Sequence, residues 1–185
     1  MARQGFMDAP LDAPPTNFTA LATFTAEANL WTPALWTPVN AFDMRAGKMY
    51  KCSGGGIMQS ATAVSWTFTP RFGVSATPAS NITFGASAAV PTTGTVPASS
   101  PWYFEFTWVV RSLGLAASGC TATGNGFVVV PSTAILNGIV IPMGGAVPTT
   151  LDHTTNQGFI LSATCGASAS TNSLQVNWVV LQALN

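Results

Sequence analysis

The chain has 185 residues and is 48% hydrophobic but only 6% charged, its six basic and six acidic residues cancelling to zero. That length suits one domain with a core of its own. Charge this sparse, against roughly 25% in ordinary soluble domains, points to a surface covered by partners, because charged residues are depleted at the cores of interfaces; a secreted domain of neutral surface is the alternative. It speaks against nucleic acid, whose phosphates call for clustered Lys and Arg, and no apolar run of about 18 residues offers a membrane span.

In chain order, residues 1–17 come first. MARQGFMDAPLDAPP lacks the apolar run of a secretory signal, and Pro10, Pro14 and Pro15 leave no periodicity. The segment reads as an extended arm without a strand or helix of its own. It is either a disordered terminus or an arm that orders on a neighbouring subunit, with Pro14 and Pro15 as contacts.

From Phe18 onward, residues 18–185 read as a single β domain of short segments broken by Gly, Pro and Ser-Thr clusters. Weaker strand candidates fall at 18–25, 48–52, 81–86, 126–130, 135–141 and 158–165. Trp31 and Trp36 open repeated Trp-Thr-Pro units in a loop, and serve either as a lid over the end of the core or as interface anchors. The run Gly54, Gly55, Gly56 lacks the Gly-Lys-Ser/Thr of a phosphate loop and predicts a tight turn or bulge.

Three stronger strands follow. Val64, Trp66 and Phe68 alternate with Ser65, Thr67 and Thr69, and Pro70 is expected to end the regular pairing. In PWYFEFTWVVRS, Trp102, Phe104, Phe106, Trp108 and Val110 share one face, with Tyr103, Glu105, Thr107, Val109 and Arg111 on the other. Near the end, Leu174, Val176, Trp178 and Val180 alternate with Gln175 and Asn177, and Val179 and Leu181 make the strand apolar on both faces. That second face would meet another subunit or an intrachain loop. The pattern predicts an all-β, antiparallel β-sandwich, jelly-roll-like, of about nine strands.

Residues that could carry chemistry are few. Cys52, Cys120 and Cys165 cannot all pair and lack C-x-x-C spacing, so free, mostly buried thiols made in a reducing cytoplasm are expected, with a Cys120–Cys165 bridge as the alternative. The single histidine, His153, follows Asp152 in a polar loop without a G-x-S-x-G elbow or a recognisable cysteine signature, which speaks against a hydrolytic triad. Asp152 and His153 alone make no metal site, although a symmetric trimer could gather three such pairs on its axis. Glu27 and Glu105, the only glutamates, are candidates for a glycosidase pair, with Glu105 read first as an exposed-face residue. The expectation is a protein without enzymatic activity, metal or cofactor.

The succession of WYFEFTWVVRSLG (102–114), a later AT-C-GASASTNSL segment (163–174) and a final apolar strand closing on Leu-Asn (175–185) resembles small β-rich virion structural proteins of actinobacterial tailed phages. The resemblance implies a jelly-roll-like capsid decoration or cement protein on the capsid exterior. Its partners would be the major capsid protein and two further copies of itself in a homotrimer; the tryptophan-rich 30–39 segment departs from the resemblance, and Trp31, Trp36, Val179 and Leu181 are interface candidates from their own residue pattern. A minor tail protein is the alternative it implies, and Trp31, Trp36 and the Ser-Thr-rich loops suggest as a further alternative a receptor- or carbohydrate-binding protein of the tail.

Overall fold

Large rings at every second position from Trp102 to Trp108 can all be buried only if one face of the strand lies on a core. The computed structural model describes residues 10–12, 18–32, 36–61, 63–92, 94–114, 119–131 and 138–184. Its longest strand, β8 (Val96–Ser112), buries Trp102, Phe104, Phe106, Trp108 and Val110 on one face.

β4 (Met49–Ser60) pairs along one side of β8 and β9 (Cys120–Pro131) along the other, both antiparallel. β12 (Ser173–Ala183) extends this sheet beyond β4, and β10 (Gly138–Leu151) extends it beyond β9. The short β1 (Pro10–Asp12) and β2 (Leu21–Ala22) both pair with β12. A smaller sheet centres on β5 (Ser65–Gly73) and β11 (Gly158–Cys165); β3 (Ala28–Asn29) pairs with β11, while β6 (Ile82–Thr83) and β7 (Val90–Pro91) pair with β5. Among the described residues there is no α-helix, only one turn of 3-10 helix at Pro78–Ser80. The molecule is the expected all-β sandwich. The chain crosses between sheets from β2 to β3, β3 to β4, β4 to β5, β7 to β8, β10 to β11 and β11 to β12, whereas β8, β9 and β10 form a meander.

Stacked rings join the two sheets. Phe159 of β11 lies against Phe104, Phe106 and Trp108 at centroid distances of 6.3, 5.4 and 5.3 Å. Phe68 and Phe72 of β5 meet Trp102 and Trp108, each at 6.0 Å. Across the ladders the β8 rings stand opposite glycines: Trp102 opposite Gly56, Phe104 opposite Gly54, Phe106 opposite Gly126 and Trp108 opposite Gly124. A Cβ on Gly54 would lie 2.5 Å from Phe104 Cε1, and one on Gly124 would lie 2.6 Å from Phe106 Cε1. The rings fill space that side chains on the neighbouring strands would otherwise need.

Four local expectations are corrected. The glycine run makes no turn; it lies in mid-strand in β4, and the bulge sits opposite it, where β12 slips register between Val176 and Trp178. That slip inverts the alternation, so Val179 and Leu181 turn into the core at 0% exposure and Trp178 turns outward at 46%. Pro70 does not end β5. Its carbonyl accepts from Phe84 N at 3.0 Å, so its missing donor also faces the β6 side and the ladder to β11 runs through it. Within the predicted arm, Pro10–Asp12 adds an edge strand to β12.

Overpacking a close-packed core costs about 1–3 kcal/mol, and Gly54→Ala and Gly124→Ala are each expected to destabilise the protein by that amount. Urea denaturation followed by tryptophan fluorescence measures it.

Candidate functional site

The residues of β8 that alternate with its buried rings face away from the core, and the ladders carry that outer face across five strands. Register sets Trp178 (β12), Gly55 (β4), Tyr103 (β8), Val129 (β9) and Val140 (β10) in one row. The next row holds Ser53, Glu105, Phe127 and Pro142, and the one beyond it holds Lys51, Thr107 and Asn125.

The first two rows form an aromatic stripe. Tyr103 lies 6.0 Å from Trp178 and 6.2 Å from Phe127, and Val140 at its end is 63% exposed. The central charges neutralise each other: Lys51 Nζ is 2.8 Å from Glu105 Oε2, to which the Tyr103 hydroxyl also donates at 3.1 Å. Burial, and then the bond to Glu105, raise the Tyr103 hydroxyl above its ordinary pKa and keep it a donor. Farther along β8 lies an open trough of about 670 Å³ whose lining includes Thr107, Arg111, Thr123, Gly124, Asn125 and Gly144. Arg111 Nε donates to Thr123 Oγ1 at 3.0 Å. Such a face can stack, pack and hydrogen-bond.

A second projecting group is Phe42. It is 69% exposed, and its φ of +63° is uncommon for a residue with a side chain. Its N–H donates to the His153 carbonyl at 2.7 Å, Ala41 N donates to Asn156 Oδ1 at 2.9 Å, and the His153 ring meets the Phe42 ring edge-on at 6.2 Å. The turn is braced against the 152–157 loop, so the ring projects from fixed backbone.

The residues singled out from the sequence are placed differently. Trp31 and Trp36 are each 3% exposed; their rings meet edge-on at 6.0 Å, and Trp31 Nε1 donates to the Phe159 carbonyl at 3.2 Å. They form the lid, and with Val179 and Leu181 they belong to the core rather than to an exposed surface. Pro14 and Pro15 lie outside the described residues. All three cysteines are buried and free, so Cys120 and Cys165 are not bridged. Asp152 accepts from Thr154 N and Oγ1 at 2.8 and 2.7 Å, which shapes its own loop and does not orient His153. Among the described residues, no three His, Cys, Asp or Glu side chains gather in one place. Of the three basic residues closest in sequence, Arg45, Lys48 and Lys51, Lys48 pairs with Asp43 at 2.7 Å and Lys51 with Glu105, while Arg45 is exposed.

The two glutamates are separated by the sandwich. Glu27 lies over the outer face of the smaller sheet, where Arg71 Nε and Nη2 grip it at 2.7 Å each and the Ser162 hydroxyl donates to it. Trp178 was missed in the sequence because its alternation with Val176 places it inside, and Phe42 because no residue pattern announces a positive φ at an aromatic. In comparisons with known proteins, no protein family and no curated sequence matches this chain.

Burial raises the pKa of Glu27, but the hydrogen bonds from Arg71 and Ser162 and the Arg71 charge outweigh it and hold the carboxyl below its ordinary value. A carboxyl lowered in the folded state adds stability above its unfolded pKa, and that stability is lost as pH falls through the folded one. Thermal melts of wild type and Glu27→Gln should therefore differ at neutral pH and converge as pH falls below the ordinary carboxylate range. A constant gap down to the acid limit would contradict this.

Proposed function

We propose that this chain is a non-enzymatic structural protein of a virion: a capsid decoration protein, assembled as a homotrimer, that binds the major capsid protein on the capsid exterior and stabilises the shell. The observation that carries the reading is Phe42. A large apolar ring at 69% exposure, mounted on strained backbone held by two hydrogen bonds, is costly to keep in water and well prepared to enter a pocket on a partner. Backbone strain of this kind persists only where surrounding contacts over-determine it, and the 152–157 loop supplies those contacts.

The sparse charge agrees with such a role, since six of the charged side chains are already used in three internal ion pairs, Lys48–Asp43, Lys51–Glu105 and Arg71–Glu27. The resemblance of the 102–114 and 163–185 stretches to virion proteins of actinobacterial tailed phages supplies the virion and its capsid. Free buried thiols accord with synthesis in the host cytoplasm. A protein that binds the assembled shell more tightly than its separate subunits stabilises the shell by mass action. The alternative, a minor tail protein or a receptor- or carbohydrate-binding protein of the tail, is favoured by a different feature, the aromatic stripe on the outer face of the larger sheet.

Truncating a central interface anchor costs about 2 kcal/mol or more. Phe42→Ala is therefore expected to lower occupancy on purified particles at least tenfold at limiting protein, scored by gel densitometry against the major capsid protein, with the melting temperature of the free chain unchanged. Shells carrying the variant should lose heat resistance to the level of undecorated shells. Full occupancy by Phe42→Ala, or equal heat resistance of stripped and decorated shells, would overturn the reading.

A further inference from the structure

The bulge in β12 turns Trp178 outward and lays its indole over Gly55, where a Cβ would come within 3.3 Å of Nε1 and 3.5 Å of Cε2. One side of the ring is thus supported by backbone, and the side chain remains 46% exposed. Tyr103 and Phe127 extend the aromatic surface at ring spacings of 6.0 and 6.2 Å. On the same face lies the trough of about 670 Å³ whose lining includes Thr107, Arg111, Thr123 and Asn125. Between Tyr103 and Arg111 the strand advances about 26 Å at ~3.3 Å per residue, the span of a short oligosaccharide.

The geometry points to a binding site for an uncharged polysaccharide laid along β8, with a sugar ring on Trp178 and Tyr103 and its continuation hydrogen-bonded in the trough. An exposed aromatic face presents its negative π cloud to the polarised C–H bonds on one side of a pyranose. Hydroxyl and amide side chains such as Thr107, Thr123 and Asn125 both donate and accept, as sugar hydroxyls require. The face does not offer the cluster of cations that acidic relatives of such a ligand call for: Lys51 and Glu105 cancel at 2.8 Å, and Arg111, whose Nε donates to the neutral Thr123 hydroxyl, brings a single charge to the trough. The site is separate from Phe42, which belongs to the turn before β4, so it stands whether the chain sits on the head or on the tail.

The test is native electrophoresis of the purified full chain through gels containing dextran, laminarin or galactomannan, with dextran sulfate as the anionic counterpart. At least one neutral polysaccharide is expected to retard the wild type. Trp178→Ala should weaken that retardation at least tenfold, Trp178→Phe should restore part of it, and Phe42→Ala should leave it unchanged, with urea midpoints confirming that each variant is folded. No retardation by any neutral polysaccharide, retardation by dextran sulfate alone, or undiminished retardation of Trp178→Ala would each overturn the assignment. None of these outcomes touches particle occupancy, so this proposal and the decoration role fail or survive separately.

Discussion

Four large rings on one face of β8 need room on both neighbouring strands, and glycine provides it. Gly54 and Gly56 of β4 and Gly124 and Gly126 of β9 stand directly across from Phe104, Trp102, Trp108 and Phe106. The Phe104 ring spreads over Gly54 and the Phe106 ring over Gly124 and Gly126, whereas Gly56 makes room for the β12 backbone at Gln175; the rings then reach the smaller sheet through Phe68, Phe72 and Phe159. Hydrophobic burial is the dominant favourable term in folding, and here the large rings of β8 sit at the centre of it.

The same constraint shapes the surface. Gly55, between the two core-facing glycines, leaves the outer side of β4 without a side chain in that row, and the β12 bulge opposite it drops the Trp178 indole onto Gly55. An aromatic covering an unfilled glycine position within a sheet is a recurring means of restoring packing there. In this molecule it also leaves an aromatic surface facing solvent, in line with Tyr103 and Phe127. The smaller sheet is treated differently: its outer face carries Arg71, Thr69 and Ser162, all buried, with Glu27 bonded over them. On that side Glu27 covers the polar groups, and on the other the aromatic row faces solvent.

Much of the architecture was legible from period-two alternation. β8 faces the way its residues predict, and the 158–165 candidate coincides with Gly158–Cys165. Alternation fails where register changes. One extra residue at Asn177 inverts every side chain after it, so Trp178 and Val179 exchange sides, and composition alone does not reveal such a bulge. The glycine run misleads for a related reason: glycine marks turns and close approaches alike, and here the approaching groups are rings on a strand some fifty residues later in sequence. Trp31 and Trp36 read equally as lid or anchor because both roles call for a large apolar ring; only the position of the loop over Phe104 and Phe159 decides it. Phe42 escaped notice because its significance lies in a backbone angle.

The central claim is that this sandwich works as a fixed part of a larger particle, with Phe42 as its anchor. Cryo-electron microscopy of purified virions tests it most directly. The account predicts density for the chain on the outside of the shell, in groups of three, with the 40–43 turn buried against the major capsid protein. Particles that lack the chain, or that carry it with Phe42 pointing into solvent, would contradict it.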